Sequence, residues 1–303
     1  MIYLDHYLLY NGVFMKYEKF KLFIYKIANG YSILPFQFTI NISNICNRHC
    51  KFCPNWAPEL IDTYYLRWFR KQPDLMDYNK FEDMLKRMGI LRRFIKNLSI
   101  TGRGDPTLHP DLLKFCQIAN YYKLRFNITT NGDKLTPEFF QELGKLKYLK
   151  RVRVSLFNVE KAKYWLKIQE ESNVKIDFQN ETGVKLDGYE DGYIATNNPG
   201  TAKYSTMPLN FMDETYCRTP FSFNTLNTDG SMVTCITFFE VGNVFEQPFW
   251  KIWNGKRMRL IRKQALKMEI PEHLADCRNC GVFVKYPKYK AMNTYKSHKI
   301  ESK

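Results

Sequence analysis

The chain has 303 residues, of which 45% are hydrophobic, 25% charged and 16% aromatic, a balance that supplies a sizeable core and excludes a mainly disordered protein. Lys and Arg number 46 against 30 Asp and Glu, giving a formal charge of +16. No stretch approaches the roughly 18 uninterrupted apolar residues of a membrane span, and Asp5, His6 and Asn11 break the apolar N-terminus where a signal peptide needs continuity; a cytoplasmic protein is the expectation.

From about residue 36 to 180 short apolar or β-branched runs alternate with helix-like stretches. Strands are predicted at Gln37–Ile42, Asn97–Ile100, Arg125–Thr129, Val152–Leu156 and Val174–Phe178, and helices at Met76–Met88, Pro110–Tyr122, Thr136–Lys145 and Val159–Glu171. Thr136 followed by Pro137 is a helix start, the hydroxyl capping and the proline at the first helical position. Repeated strand-then-helix units with short turns predict an α/β fold with a parallel sheet, whose site lies at the C-terminal ends of the strands. Beyond residue 185, Gly188, Gly192, Asn197, Asn198, Pro199 and Gly200 read as a linker. A compact module follows, with a hairpin around Asn227-Thr228-Asp229-Gly230 and a helix from about Trp250 to Lys267.

The eight cysteines fall into two groups and one outlier. Cys116 sits in a helical pattern and reads as an inert core residue. Cys46, Cys50 and Cys53 have the spacing Cys-x3-Cys-x2-Cys on a loop directly after a strand. Three thiolates so placed can hold three irons of a four-iron cluster and leave the fourth iron open to a substrate or cofactor. The competing reading is a zinc site with an outside ligand such as His49. Cys217, Cys235, Cys277 and Cys280 form the second group, from the hairpin and a later Cys-x2-Cys. Four thiolates complete a tetrahedral zinc or a fully ligated iron–sulfur cluster equally well.

Over residues 36 to 180 the sequence resembles the radical S-adenosylmethionine (SAM) superfamily. Beyond the three cysteines, Phe52 matches the aromatic placed near the adenine. The run Thr101-Gly102-Arg103-Gly104-Asp105-Pro106-Thr107 stands where the family carries a Gly-Gly-Glu-Pro-like segment that meets the methionine amino group, with Asp105 in place of the usual Glu. Thr129-Thr130-Asn131-Gly132 and Ser155 also fall on family positions, Ser155 toward the ribose or carboxylate of SAM. The resemblance implies Cys46, Cys50 and Cys53 as ligands of a SAM-binding [4Fe–4S] cluster. It implies Phe52, Gly102, Arg103, Gly104, Asp105, Pro106, Thr129, Asn131 and Ser155 as SAM-binding residues, within a partial (β/α)6 TIM-like barrel. Asp229-Gly230, Gly242-Asn243-Val244, Trp253-Asn254 and Arg257 to Arg262 resemble the C-terminal SPASM or twitch modules of the same superfamily. These imply an auxiliary [4Fe–4S] cluster on Cys217, Cys235, Cys277 and Cys280. With no cysteine after Cys280, the module is similar to the shortened, one-cluster form of a radical SAM dehydrogenase that oxidises an aminocyclitol alcohol.

The expected organisation is an N-terminal extension over 1–35, a radical SAM core over 36–200, an auxiliary cluster module over 201–284 and a basic tail over 285–303. The expected activity is reductive cleavage of SAM to a 5′-deoxyadenosyl radical, hydrogen-atom abstraction from a substrate, and a two-electron oxidation in which the auxiliary cluster takes an electron. The substrate is a small sugar or cyclitol, or alternatively a peptide or protein side chain, and the family chemistry implies an electron donor such as flavodoxin or ferredoxin. No catalytic acid or base is nominated; Asp177, Asn180 and Glu181 lie near the end of the fifth strand. In the tail, Lys285, Lys288, Lys290, Lys296, Lys299 and Lys303 alternate with Tyr286, Tyr289 and Tyr295, a pattern that can grip nucleic acid or stay solvated. RNA modification is thus a second reading, and a non-catalytic zinc-binding interaction protein a third.

Overall fold

The computed structural model of the chain describes residue 24 and residues 28–32, 37–50, 73–158, 160–180, 219–234 and 240–267. Its centre is an eight-stranded sheet in the order β5-β4-β3-β2-β1-β6-β7-β8. The strands are β1 (Gln37–Ser43), β2 (Asn97–Gly102), β3 (Phe126–Thr130), β4 (Leu149–Leu156), β5 (Ile176–Asn180), β6 (Phe223–Leu226), β7 (Ser231–Val233) and β8 (Glu240–Asn243). Pairings from β5 through to β6 are parallel, and β6–β7 and β7–β8 are antiparallel.

Period-two alternation of side chains sorts each strand into an apolar and a polar face. Phe38, Ile40 and Ile42, then Leu98 and Ile100, Phe126 and Ile128, Val152, Val154 and Leu156, and Ile176 and Phe178 are all buried in one core. The helices α1 (Tyr78–Met88), α2 (Leu112–Tyr121), α3 (Pro137–Gly144) and α4 (Glu160–Ser172) contribute Phe81, Met84, Phe115, Cys116, Phe140, Leu143, Trp165 and Ile168 to that core. Burial pushes the Cys116 thiol well above its ordinary pKa, as suits a packing residue. The alternate strand positions, Gln37, Thr39, Ser99, Thr101, Asn127, Thr129, Arg151, Arg153, Ser155 and Asp177, are half-buried and polar. A parallel sheet buried on both faces would be apolar on both; this one reserves a face for polar groups.

The predicted strands and helices of the core all form, with ends displaced by three residues at most. Thr136 caps α3, its hydroxyl accepting from the Phe139 amide at 3.3 Å. The sheet is open, and its sixth parallel strand, β6, joins beside β1, with Gln37 opposite Phe223 and Ile40 opposite Leu226. The hairpin read as part of a separate module therefore extends the core sheet. It turns at Asn227–Gly230 as expected: Gly230 has φ +84°, its amide donates to Asn227 O at 2.9 Å, and Asp229 accepts from the Ser231 amide at 2.9 Å.

The helix predicted from Trp250 to Lys267 is instead two, α6 (Phe249–Trp253) and α7 (Lys256–Lys267), following the short α5 (Thr219–Ser222). The break falls at Asn254-Gly255, a pair that punctuates helices, and the Asn254 side chain is held there: its Oδ1 accepts from the Ser32 amide and its Nδ2 donates to Ser32 O, both at 3.0 Å. Arg262 on α7 completes the junction. It is fully buried and donates to Pro220 O at 2.9 Å and to Gly30 O and Asn254 Oδ1 at 3.0 Å, with its guanidinium 3.9 Å from the Trp253 ring. Residues 28–32 are thereby fastened to the last described helix.

The guanidinium at position 262 joins residues 28–32, α5 and the Asn254 junction. Arg262→Met should destabilise the protein by about 2–4 kcal/mol, since three charged hydrogen bonds go and buried carbonyls are stranded. Urea unfolding measures this, and an unchanged midpoint would contradict the assigned role.

Candidate active site

At the C-terminal ends of β1, β2 and β3 three loops meet. The first, Asn44 to Cys50, carries Cys46 and Cys50, both half-buried. The second runs from Gly102 to Thr107 after β2, and the third is the Thr130–Asp133 turn after β3. Cys53 and Phe52 lie outside the described residues, as do Cys217, Cys235, Cys277, Cys280, Glu181, the linker around 188–200 and the Lys/Tyr tail.

The first two loops approach through their main chains. The Gly104 amide donates to Ser43 O at 2.9 Å and the Asp105 amide to Ile45 O at 2.7 Å. A Cβ on Gly104 would stand 1.9 Å from Ile45 O, and one on Gly102 would stand 2.6 Å from Ser43 O. Only glycine permits this approach.

Asp105 ties the second loop to the third. Its carboxylate is 3% exposed and accepts from the Thr107 amide at 2.9 Å, the Thr107 hydroxyl at 2.5 Å, the Thr130 hydroxyl at 2.8 Å and the Asn131 amide at 2.6 Å. Pro106 follows, buried, in a single 3-10 turn over Pro106–Leu108. The acidic side chain thus holds protein groups together. What the second loop can offer a ligand is main chain.

The third loop returns to the first. Asn131 Nδ2 donates to Asn47 Oδ1 at 2.8 Å, and Asn47 Nδ2 donates to Asp133 at 3.0 Å. Arg48 donates to both oxygens of Asp133, Nε and Nη2 each at 2.6 Å, and lies 4.3 Å over the Phe157 ring. Beside Arg48 the Asp133 carboxyl is held below the usual carboxylate range, chiefly by that hydrogen bond, and Arg48 is raised in turn. The Arg48 amide points at Cys46 Sγ, 3.4 Å away.

Arg103 turns the other way, toward the hairpin. It is 9% exposed, and its Nε donates to Asn227 Oδ1 at 2.9 Å, which also accepts from Asn41 Nδ2 at 3.3 Å. Burial lowers the guanidinium pKa to about 9, with Asp229 pulling the opposite way, so it stays cationic at neutral pH. Asn44 reaches the same hairpin, its Nδ2 donating to Thr228 Oγ1 at 2.9 Å. Thr129 and Ser155 lie on the half-buried polar face, with Thr129 opposite Arg153 and Ser155 opposite Gln179. Asp177 is paired with Arg151 and stands 3.7 Å from Lys175.

Of the residues singled out from sequence, Cys46, Cys50, Gly102, Gly104, Asp105, Pro106 and Asn131 are brought into one network, and Arg103 joins it to the hairpin. Arg48, Asn47 and Asp133 were missed; Thr130 was named only within its run, and Asn227 only as a turn residue. A charge between two cysteines was the visible signal for Arg48; nothing local marked Asn227 as the partner of Arg103, 124 residues away.

The residues present fit an iron–sulfur cluster with SAM. Two thiols share one loop, a main-chain N–H points at one sulfur, and glycines leave backbone bare beside them. His49 is exposed, and among the described residues no three His, Cys, Asp or Glu side chains converge as a metal site. Asp105→Asn leaves one acceptor oxygen for four donors and should cost about 2 kcal/mol, and Gly104→Ala about 1–3 kcal/mol or more through the backbone clash. Thermal unfolding measures both, and wild-type stability in either would refute the geometry.

Comparison with known proteins bears directly on this site. Residues 40–180 match the radical SAM superfamily and residues 217–281 match SPASM, an iron–sulfur cluster-binding domain. The chain is 24% identical over 251 residues to the S-adenosyl-L-methionine-dependent 2-deoxy-scyllo-inosamine dehydrogenase of Niallia circulans, spanning 80% of this chain and 91% of that protein. It is 28% identical over 109 residues to the tungsten-containing aldehyde ferredoxin oxidoreductase cofactor-modifying protein of Pyrococcus furiosus, covering 35% of this chain and 27% of that one. Among solved structures, BtrN in complex with AdoMet and 2-DOIA superposes with a TM-score of 0.57 at 21% identity, over 78% of this chain and 89% of BtrN. The cofactors that follow from the two matched domains are a SAM-binding [4Fe–4S] cluster, SAM and auxiliary iron–sulfur. With the two matched segments covering more than half of its length, the chain belongs to the radical SAM superfamily and carries a C-terminal SPASM domain.

Proposed function

We propose that this protein is a radical SAM dehydrogenase that carries out a two-electron oxidation of a small hydroxylated substrate of sugar or cyclitol type. The observation that carries the reading is the meeting of the cysteine loop, the glycine-rich loop and the Asn131 turn on one set of strand ends. The substrate class is supported by the match to a SAM-dependent inosamine dehydrogenase over 91% of that protein's length. The half-buried hydroxyls, amides and guanidinium groups of the open sheet face also suit a hydrogen-bonding substrate.

In this reading Cys46, Cys50 and Cys53 hold the SAM-binding cluster, and Cys217, Cys235, Cys277 and Cys280 hold a single auxiliary [4Fe–4S] cluster. When bound, the first cluster supplies one electron that cleaves SAM to methionine and a 5′-deoxyadenosyl radical, the species that removes a hydrogen atom from the substrate. The protein's own part is orientation. Gly102 and Gly104 present bare main chain to the methionine end of SAM, and Asp105 keeps that main chain in place by spending its carboxylate on Thr107, Thr130 and Asn131. Ser155 and Thr129, on the polar face, are assigned to the ribose and carboxylate. Arg103 and Asn227 hold the hairpin against the same loop, so the hairpin leading to Cys235 is fixed relative to the SAM site. A cytoplasmic setting and a flavodoxin or ferredoxin as electron donor belong to the same proposal.

Anaerobically purified protein should be brown and contain about eight irons per chain, the count for two four-iron clusters. With a reductant it should convert SAM to 5′-deoxyadenosine, and the Cys46/Cys50/Cys53→Ala triple variant should not. Continued 5′-deoxyadenosine formation by that variant would sink the proposal, as would zinc in place of iron.

A further inference from the structure

The cysteine loop is fastened by a carboxylate that none of the chemistry above requires. Asp133 receives Arg48 Nε and Nη2 at 2.6 Å each and Asn47 Nδ2 at 3.0 Å, and Lys161 Nζ stands 3.4 Å away. Both residues behind these donors on the loop, Asn47 and Arg48, lie between Cys46 and Cys50. The turn bearing Asp133 is itself pinned from beneath. The Gly132 amide donates to the Thr130 hydroxyl at 3.0 Å, the Asp133 amide to Asn131 Oδ1 at 2.9 Å, and the Asn131 amide to buried Asp105. A rigid turn thus offers one carboxylate to a short loop.

Isolated surface ion pairs contribute little, because two long side chains lose freedom and water screens the attraction. This pair differs in geometry. It is bidentate, only 29% and 19% of the two side chains is exposed, and the guanidinium is stacked 4.3 Å over Phe157. It also lies outside the apolar core. What it holds is the peptide between the two cysteines, including the Arg48 amide aimed at Cys46 Sγ from 3.4 Å. Main-chain hydrogen bonds to cluster sulfurs are among the means by which a protein tunes and retains an iron–sulfur centre.

We propose that Asp133 is a positioning residue for the iron–sulfur loop: its carboxylate clamps Arg48 and Asn47 and so keeps the loop's thiols in place to take and retain a cluster. The proposal rests on the assignment of Cys46, Cys50 and Cys53 to the SAM-binding cluster. Lys161 and Phe157 brace the clamp from α4 and the end of β4. Asp133 touches neither cysteine; it acts through Arg48 and Asn47.

The test uses the full chain as wild type, Asp133→Asn, Arg48→Met, the double variant R48M/D133N and the conservative Asp133→Glu. Each is loaded with iron and sulfide, and iron loss to a ferrous chelator is followed anaerobically. In parallel, alkylation of Cys46 and Cys50 by iodoacetamide is followed by mass spectrometry on the unloaded proteins. Each neutral single variant should lose iron about tenfold faster and be alkylated several-fold faster, while urea unfolding of the unloaded protein stays at the wild-type midpoint. The double variant should be no worse than either single one, because both remove the same clamp, and Asp133→Glu should recover part of the loss. Wild-type rates in both single variants would overturn the proposal, as would additive effects in the double variant. A lowered unfolding midpoint or failure to fold would also overturn it, by making the carboxylate a support of the fold. If wild type takes up no cluster, the functional reading itself fails, while the alkylation rates still decide whether the clamp orders the loop.

Discussion

The structure turns on a main-chain contact: Gly104 and Asp105 donate to Ser43 O and Ile45 O where β1 and β2 end. Two backbones can come this close only if the Cβ between them is missing, and the 1.9 Å that a side chain at position 104 would leave to Ile45 O makes glycine obligatory. From that contact the cysteine loop gains its starting direction and the loop after β2 its exposed peptide groups. Asp105 extends the constraint to β3 by collecting Thr130 and Asn131. Asn131 and Asp133 carry it back to the cysteine loop through Asn47 and Arg48. Three strand ends are thus closed into a ring of hydrogen bonds, as a partly buried polar site of this kind requires.

The second constraint lies at the opposite side of β1. By pairing with β1, β6 brings the hairpin that precedes Cys235 into the same sheet as the SAM-type loops. Arg103 and Asn44 then fix it through Asn227 and Thr228. The described part of the SPASM segment thus shares a sheet with the radical SAM core.

The core of this arrangement was legible in the sequence because it rests on local patterns. Alternation in Gln37–Ile42 and Val152–Leu156 reported strands with one apolar face, and Thr136-Pro137 reported a helix start. Cysteine spacing and the Gly102–Thr107 run pointed to two loops that the structure brings together. What was not legible depends on partners far away in sequence. The Asn254 side chain at the junction of the last two described helices bonds Ser32, 222 residues earlier, a contact that no local pattern marks. The place of β6 beside β1 leaves no trace in either strand, since main-chain pairing carries no side-chain signature and the two are more than 180 residues apart. Asp105 matched a ligand-binding motif position, yet its carboxylate is occupied by the protein, a use that only the positions of Thr130 and Asn131 reveal.

The loop around Cys46 and Cys50 is proposed to hold a cluster whose open iron receives SAM. Electron paramagnetic resonance of the reduced protein, with and without SAM, tests it most directly. If the claim holds, adding SAM changes the g-values of one cluster signal and leaves the auxiliary signal in place. A spectrum indifferent to SAM, from protein with its full iron content, would contradict it.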